Sequence, residues 1–317
     1  MQKRRSCDMI KRIVCLVLTL ILSLSCCAAL ADDPQPIETV PYEELPPAID
    51  GQHHYLLLCV DQWTGKPHNL GNTDGIVIVT LDTRAHRVML TSIIRDALVE
   101  RPDGVIGRIN YIAKNYSPKA LCKVISQHVG VKIEKYLLFD FSQIASIVDF
   151  LGGVDIEITS TESNYLQRYA IPKDSTTPRL RGAGTYHFNG HSAVIYMRIR
   201  KVGGGGDFMR TQRVRTVLST LADQCREITL EEARALVDSV LENTTLTNMS
   251  TDEMVEAMNY AMELRGCTVE ELRLPPDGAA TPITYAGMSV QEIDWVACRQ
   301  AMDEYLQNSF LVLDDEE

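Results

Sequence analysis

The sequence is short of positive charge. Its 317 residues include 31 lysines and arginines against 42 aspartates and glutamates, a net charge of −11. A protein that coats nucleic acid needs a basic surface to displace counterions, so this composition argues against general DNA or RNA binding. The deficit is local, because residues 216–317 carry 21 acidic and 5 basic residues (−16) and the preceding residues sum to +5. This difference predicts a basic catalytic portion followed by an acidic companion.

Several motifs of common catalytic sites are also missing. There is no Gly-x-Ser-x-Gly elbow, no Walker phosphate loop, no dinucleotide fingerprint and no His-Glu-x-x-His pair, which argues against the enzyme classes that these motifs define. Five of the nine cysteines follow the N-terminal segment, widely spaced and without a Cys-x-x-Cys motif: Cys59, Cys122, Cys225, Cys267 and Cys298. An odd number without metal-ligand spacing argues against a zinc site and a full disulfide framework, so we expect buried free thiols.

The N-terminus has the pattern of an export signal. Five basic residues between positions 3 and 12 precede an uncharged run over 13–31, which ends in Ala29-Leu30-Ala31. The pattern fits a signal peptide cleaved after Ala31, and equally a retained signal anchor that spans the bilayer. In both cases the rest of the chain is expected outside the cytoplasmic membrane, beyond a linker over residues 32–51 that is rich in proline and acids.

The remaining chain is apolar enough for a folded protein, with 45% hydrophobic and 23% charged residues. Apolar runs that alternate with helical patterns over residues 52–227 predict an α/β layered domain. We expect strands over 55–60, 75–81, 87–93, 136–140, 154–158 and 193–200, and helices over 117–130, 142–153 and 207–227. Residues 228–317 change to acidic amphipathic patterns, which predict a mainly helical extension with helices near 229–242, 251–264 and 290–307.

The predicted strands bring four charged residues to one edge of the sheet. If strands 75–81 and 87–93 pair across a turn, Asp74 lies opposite Arg95, since the two are equidistant from that turn. Asp61 directly follows the neighbouring strand, and Asp96 follows Arg95. Two carboxylates beside an arginine suit a Mg²⁺ ion that is bridged to a phosphate. Ordinary strand-end polar residues with a surface ion pair would give the same pattern, and both interpretations stay open.

A second cluster of charges is basic. Side chains alternate along a strand, so Arg198 and Arg200 are expected on one face, roughly 7 Å apart, where forked donors can grip neighbouring phosphates. Arg210 falls on the apolar stripe of the following helix and is expected to point inward near the positive helix end.

The other charged residues of that helix are more ambiguous. Asp207 fits a plain helix cap and equally an orienting or metal-contacting residue beside the arginines. Arg213 and Arg215 are expected to be solvated, with Arg213 flanking the site, and Gly203–Gly206 is predicted to form a flexible loop.

Seven stretches, taken in order, resemble the LytR–CpsA–Psr (LCP) family of bacterial envelope proteins. They are LLLCVDQ (56–62), GNTDGIVIVTLD (71–82), SIIRDALV (92–99), GRINYIAK (107–114), FLGGVDIEI (150–158), HFNGHSAVIYMRIRK (187–201) and GDFMRTQRVRTVL (206–218). The resemblance covers roughly residues 52–225. It implies a three-layer α/β/α sandwich around a mixed β-sheet.

The resemblance also implies a function. Such proteins move a glycopolymer, of the wall teichoic acid or capsule type, from an undecaprenyl-pyrophosphate carrier to peptidoglycan at the membrane surface. Asp61 and Asp74 match the carboxylates associated with Mg²⁺ (or Mn²⁺). Arg95, Arg198, Arg200 and Arg210 match the pyrophosphate-binding arginines, and Asp207 matches an acidic residue of the same site. Asp96 and Asp207 are the candidates for a catalytic base. An apolar slot for the lipid is expected between sheet and helices, lined by Val214, Leu218 and Ile144.

The chain departs from the family pattern at several positions. Arg is frequent in the family where Asn72 stands, Thr at Gly75, Pro at Ile94 and Gln at Val214. Two other functions therefore stay open, a non-catalytic polyprenyl-pyrophosphate-binding scaffold and a polyprenyl-pyrophosphate hydrolase.

Overall fold

The structure is a computed structural model that describes residues 36–62, 70–169, 179–200, 202, 206–224 and 246–307, with a few positions between 229 and 239. The export signal predicted over 1–31, most of the helix predicted over 229–242, residues 203–205 and Cys225 lie outside the described residues. The predictions for those segments stay predictions. The other four cysteines discussed above are free thiols, as expected, and Cys122 and Cys298 are buried.

A six-stranded mixed sheet lies at the centre of the fold. The strands in chain order are β1 (Gln52–Val60), β2 (Thr73–Asp82), β3 (Arg87–Ile93), β4 (Leu98–Glu100), β5 (Ile106–Arg108), β6 (Lys135–Phe139), β7 (Val154–Ile158), β8 (Gly184–Phe188), β9 (Leu246–Thr247), β10 (Thr268–Leu274), β11 (Ala280–Tyr285) and β12 (Met288–Ile293). The central sheet has the order β10-β3-β2-β1-β6-β9, and the pairs β4–β5, β7–β8 and β11–β12 form three small sheets. Strand β6 runs parallel to β1 and β10 parallel to β3, while the other neighbours in the central sheet are antiparallel.

Several of the helices begin at a side chain that caps their free N–H groups. In chain order they are α1 (Ile112–Asn115), α2 (Pro118–Val129), α3 (Phe141–Phe150), α4 (Ser160–Tyr169), α5 (Gly190–Met197), α6 (Gly206–Gln224), α7 (Thr251–Glu263) and α8 (Trp295–Gln307). Ser117 caps α2 by accepting a hydrogen bond from the Ala120 N–H, and Gly130 ends the helix in the left-handed conformation. Asp140 and Gln143 form a reciprocal capping box at the start of α3.

The sheet separates two apolar cores, which confirms the predicted α/β/α sandwich. On one face, Leu56, Leu58 and Val60 of β1 pack with residues of α2 and α8. On the other face, Leu57 and Cys59 look toward α3, α5 and α6. The alternation follows from the period of two along a strand.

The prediction of a strand over residues 193–200 is wrong. Residues 190–197 form helix α5, and Asn189 caps it by accepting a hydrogen bond from the Ser192 N–H. The run AVIYM is buried on most sides, and an apolar run of that length cannot by itself distinguish a buried helix from a buried strand. The helix packs so closely on α3 that a Cβ at Gly190 would lie 1.9 Å from the Ala145 carbonyl oxygen.

The C-terminal segment contains more strand than the sequence pattern predicts. Helix α7 matches the prediction near 251–264, whereas 288–293 is strand β12 and α8 begins only at Trp295. Strand β10 pairs in parallel with β3 over the whole of its length. Half-exposed positions give β10 a weak apolar alternation, which is why the pattern missed it.

Candidate active site

The hairpin of β2 and β3 has the predicted register. Val77 pairs with Ser92 and Asp82 with Arg87, so the ladder, extended beyond its last pair, brings Asp74 opposite Arg95. The Nη1 atom of Arg95 lies 2.5 Å from Oδ1 of Asp74, and both side chains are mostly buried. The turn geometry of one hairpin is therefore enough to form this ion pair.

The end of β1 lies beside the same two residues. A register shift between Cys59 and Val60 allows the backbone N–H of Asp61 to donate to the Asn72 carbonyl, at 2.9 Å. The Asp61 carboxylate is about two-fifths exposed, with a relative side-chain exposure of 39%. Asp61 thus offers its carboxylate to solvent next to the buried Asp74, as the strand arrangement predicts.

Arg198 and Arg200 reach these carboxylates from the end of helix α5. Arg198 is the C-terminal cap of α5, and its Nη2 donates to Asp61 Oδ1 at 3.0 Å while its guanidinium stacks on the Phe141 ring, 4.4 Å from the centroid. Nη2 of Arg200 donates to Asp74 Oδ2 at 2.8 Å. The two arginines therefore lie in the predicted cluster. The reason given for that prediction is wrong, because they follow a helix and do not alternate along a strand.

Arg210 points inward from the first turns of α6, as predicted. It is 3% exposed, and its Nη1 lies 2.9 Å from Asp74 Oδ2. Burial raises the pKa of Asp74, but the charges of Arg210, Arg95 and Arg200 outweigh burial and hold it below its ordinary value. Four arginines accordingly face two carboxylates, an excess of two positive charges that suits a diphosphate.

Asp96 lies at the rim of this cluster, between Arg95 and Arg108. The sequence pattern did not single out Arg108. The Asp96 carboxylate lies 3.8 Å from Arg95 Nε and 3.5 Å from Nη1 of Arg108. Arg108 also donates to the Ser289 carbonyl, and the Gln291 N–H donates to the Asp96 carbonyl at 2.9 Å. The hairpin β11–β12 is therefore fastened to the segment that carries Arg95 and Asp96. The GRIN stretch gave no signal of this contact, since it depends on the pairing of β4 with β5.

The remaining predictions for α6 have different outcomes. Asp207 lies in the first turn of the helix, and its side chain is outside what the structure describes, so its role stays a prediction. The expectation that Arg213 and Arg215 are solvated is wrong, because they are 1% and 5% exposed. Arg213 pairs with the buried Glu162 and Arg215 with the partly exposed Glu271, so a carboxylate compensates each charge.

An apolar cavity of about 280 Å³ extends from the charged cluster between the sheet and the helices. Its walls include the three residues predicted from the sequence, Ile144, Val214 and Leu218, and its floor includes Leu57, Cys59 and Val77. Asp74, Arg198 and Arg210 line the same cavity. We call this cavity the apolar slot. Its lining is mostly apolar and includes, at one end, residues of the charged cluster.

The donor set fits a hard divalent cation and not zinc. No group of three or more His, Cys, Asp or Glu side chains converges as a metal site within the described residues. Mg²⁺ usually takes only one or two carboxylates and completes its shell with phosphate oxygens and waters, which Asp61 and Asp74 can satisfy. Binding of Mg²⁺ or Mn²⁺ by this pair stays a prediction.

Comparison with known proteins decides the family. The LytR_cpsA_psr family model matches residues 31–303. The chain belongs to this family. Within the described residues of this LCP protein, every helix is too short or too polar to span a bilayer.

Curated relatives are identical to this LCP chain at about a quarter of the aligned positions. The polyisoprenyl-teichoic acid–peptidoglycan teichoic acid transferase TagU of Bacillus licheniformis is 25% identical over 236 residues, 73% of this chain and 72% of TagU. TagV of Bacillus subtilis, described by the same activity, is 26% identical over 162 residues, 49% of this chain and 39% of TagV. Biofilm regulatory protein A of Streptococcus mutans is 23% identical over 215 residues, 64% of this chain and 51% of that protein. The chain thus matches about half or less of the length of the last two.

Solved structures confirm the LCP fold. The crystal structure of B. subtilis TagV superposes with a TM-score of 0.64 at 20% identity, covering 83% of this chain and 98% of TagV. A structure of TagT bound to LI-WTA superposes with a TM-score of 0.65 at 18% identity, covering 86% and 96% of the two chains. At these identities the likeness establishes the architecture of the sandwich.

Proposed function

We propose that this LCP protein is an extracytoplasmic phosphotransferase that moves a glycopolymer from a polyprenyl-pyrophosphate carrier to peptidoglycan. The observation that carries the proposal is the junction of the apolar slot with the charged cluster at Asp74, Arg198 and Arg210. A polyprenyl diphosphate has the same two parts, a charged head and an apolar tail. The names of TagU and TagV, which are teichoic acid–peptidoglycan transferases, agree with this substrate class.

The arginines would neutralise the charge that develops on the diphosphate. Phosphoryl transfer depends mainly on positioning and electrostatic stabilisation, so a site without an obvious protein nucleophile suits it. Arg95, Arg198, Arg200 and Arg210 supply forked donors from three separate elements around one carboxylate pair. Asp61 and Asp74 would hold Mg²⁺, which supplies further neutralisation of the diphosphate oxygens when bound.

The transfer step exchanges one oxygen for another at phosphorus. A hydroxyl oxygen of the peptidoglycan acceptor, a muramic acid 6-hydroxyl by family resemblance, bonds to the sugar-linked phosphorus. The bond from that phosphorus to the bridging oxygen breaks, and polyprenyl phosphate leaves. Asp96, held between Arg95 and Arg108, and Asp207 are the candidates to accept the hydroxyl proton.

The slot would hold only part of the lipid. Its volume of about 280 Å³ is at the lower limit of pockets for drug-sized ligands, so a long polyprenyl chain extends beyond it. A lipid that stays partly in the bilayer requires an enzyme at the membrane surface, which agrees with the export signal predicted over residues 1–31. Undecaprenyl pyrophosphate as the carrier, and wall teichoic acid or capsule as the polymer, are the finer parts of this proposal.

The experiment incubates the purified protein with a lipid-pyrophosphate-linked glycan and Mg²⁺, with and without peptidoglycan fragments. Glycan attached to the fragments and polyprenyl phosphate as the second product support the proposal. Free glycan phosphate without attachment would identify a hydrolase, and retention of intact donor would identify a binding scaffold. R198A should abolish transfer, whereas R101A, which removes an arginine paired with Asp103 in the β4–β5 loop, should leave transfer unchanged.

A further inference from the structure

We propose that Arg213 is a positioning residue, which holds the backbone carbonyls of Ile199 and Val202 so that Arg198 and Arg200 face the diphosphate. This proposal rests on the proposed function, because it assigns the positioned arginines to the diphosphate. Arg213 is 1% exposed, and each of its three side-chain nitrogens donates a hydrogen bond. Two of these bonds reach the backbone of the arginine-bearing segment: Nη1 donates to the Ile199 carbonyl at 2.9 Å and Nη2 to the Val202 carbonyl at 3.1 Å.

The segment needs this support because its own ion pairs are exposed to solvent. The side chains of Arg198 and Arg200 are 40% and 43% exposed, and ion pairs at such exposure are screened by water. Backbone hydrogen bonds at the end of α5 fix the chain as far as Ile199, whose N–H donates to the Tyr196 carbonyl at 3.1 Å. Arg200 follows that point and lies between the two carbonyls that Arg213 holds.

Glu162 fixes Arg213 in turn. Its Oε1 accepts from Arg213 Nε at 2.7 Å, and its Oε2 accepts from the N–H and the hydroxyl of Thr159, at 2.8 and 2.9 Å. The guanidinium is therefore held in one orientation at the start of α4, with its other two nitrogens directed at the segment. A fork of this kind is specific to arginine, since a lysine ammonium is a single point donor.

Arg215 provides a matched control on the same helix. It is equally buried, at 5% exposure, and donates to Glu271 at 3.0 Å and to the Ser92 hydroxyl. These partners belong to β10 and β3, so Arg215 fastens α6 to the sheet edge and none of its described contacts reaches residues 198–202. A merely structural role for Arg213 predicts that the two arginines respond alike to substitution.

The test compares the full-length R213K and R215K proteins. Both retain a positive charge beside the glutamate that pairs with the arginine, so their melting temperatures should agree within about 4 °C. Hydrogen–deuterium exchange of the peptide covering residues 194–202, measured without any ligand, should rise in R213K and stay at the wild-type rate in R215K. The affinity for inorganic pyrophosphate with Mg²⁺ should fall about 100-fold in R213K alone, the order of loss that a displaced group produces.

Equal exchange or equal affinity in the two variants would overturn the proposal. If the wild-type protein does not bind pyrophosphate at all, the proposed function fails, while the exchange comparison still decides whether Arg213 holds the segment. If R213K does not fold, the double variant R213M/E162L leaves no buried charge alone and should fold. Fast exchange of the same peptide in that variant supports the proposal, and wild-type exchange contradicts it.

Discussion

The two faces of the central sheet are built from the same strands, but one face packs a continuous core and the other lines the apolar slot. On the face toward α2 and α8, Leu56 and Leu58 are fully buried in a continuous core. On the opposite face, Leu57 and Cys59 line the apolar slot. Neighbouring residues of one strand thus belong separately to the packed core and to the lining of the slot, because alternation directs them to opposite sides. We therefore expect that substitutions on the slot face have little effect on the packed face.

Gly75 lines the slot beside the charged cluster and is tightly packed against β1. Gly75 pairs with Cys59 across β1 and β2, and a Cβ at Gly75 would lie 2.9 Å from the Cys59 Cβ. Such a contact is closer than side chains tolerate, so a larger residue here requires a shift of the strands. The departure from the threonine frequent in the family therefore has a local steric reason in this chain.

The largest expected effect follows from the carboxylate that three arginines share. D74N removes the charge that Arg95, Arg200 and Arg210 contact, so glycan transfer should fall at least about 1,000-fold. The free energy of unfolding should also fall, by about 3 kcal/mol, because the buried Arg210 loses its counter-charge. Transfer assays and urea denaturation measure both losses. The control D103N alters an exposed pair and should change neither, and a D74N protein with full activity would remove Asp74 from the site.

The next prediction compares substitutions on the two faces of β1 directly. L56A opens a cavity in the packed core and should lower the free energy of unfolding by about 3 kcal/mol. L57A shortens a side chain that already lines the slot, so its loss should be about 1 kcal/mol. Urea denaturation of the two variants gives the difference. Equal losses would mean that the slot is closed in solution and that both faces are packed.

Between pH 7 and pH 4, the pH dependence of the free energy of unfolding should come from histidines of the packed face, since the lowered pKa of Asp74 acts only at lower pH. Burial lowers the pKa of His128 to about 4 and that of His54, on the same face, also to about 4. The geometry agrees for His128, whose Nδ1 donates to the Val124 carbonyl while Nε2 accepts from the Glu100 N–H. As the pH falls below the ordinary value of about 6.5, the unfolded chain takes up these protons first, so stability present above pH 6.5 declines down to about pH 4.

The variant H128Q tests this assignment. A pKa lowered by about 2.5 changes the free energy of unfolding by about 3 kcal/mol at most for each buried histidine. The variant H128Q should therefore retain roughly half of the pH dependence. Urea denaturation between pH 4 and pH 7 measures the slope. An unchanged slope in H128Q would assign the effect to other groups.

The smallest effect should come from filling the slot. V214W occupies part of the cavity, so the KM for a lipid-linked donor should rise about tenfold, the loss of roughly two buried methylene groups. The affinity for inorganic pyrophosphate should not change, because the arginines keep their partners. A fall in both affinities would show that Val214 supports the charged cluster instead of the lipid.

The part of the site that depends on hairpin geometry could be predicted from the sequence. The pairing of Asp74 with Arg95 follows from counting residues on either side of one turn, and the position of Arg210 follows from the helical stripe of α6. Both contacts depend on local periodicity, which a single sequence displays directly.

The rest depends on tertiary contacts that periodicity does not display. Residues 193–197 are buried on most sides, so their apolar run fits a helix and a strand equally. Arg213 and Arg215 have the pattern of solvated helix residues, and only the distant partners Glu162 and Glu271 explain their burial. Strand β10 joins the sheet by pairing with β3, whose partner residues lie 181 positions earlier in the chain, and no local signal encodes that pairing.

The most direct measurement is a crystal structure of the protein with a short-chain polyprenyl diphosphate and Mg²⁺. We predict that the diphosphate lies among Arg95, Arg198, Arg200 and Arg210, with the lipid in the apolar slot against Val214 and Leu218. A diphosphate bound away from Asp61 and Asp74, or a lipid outside the slot, would contradict it.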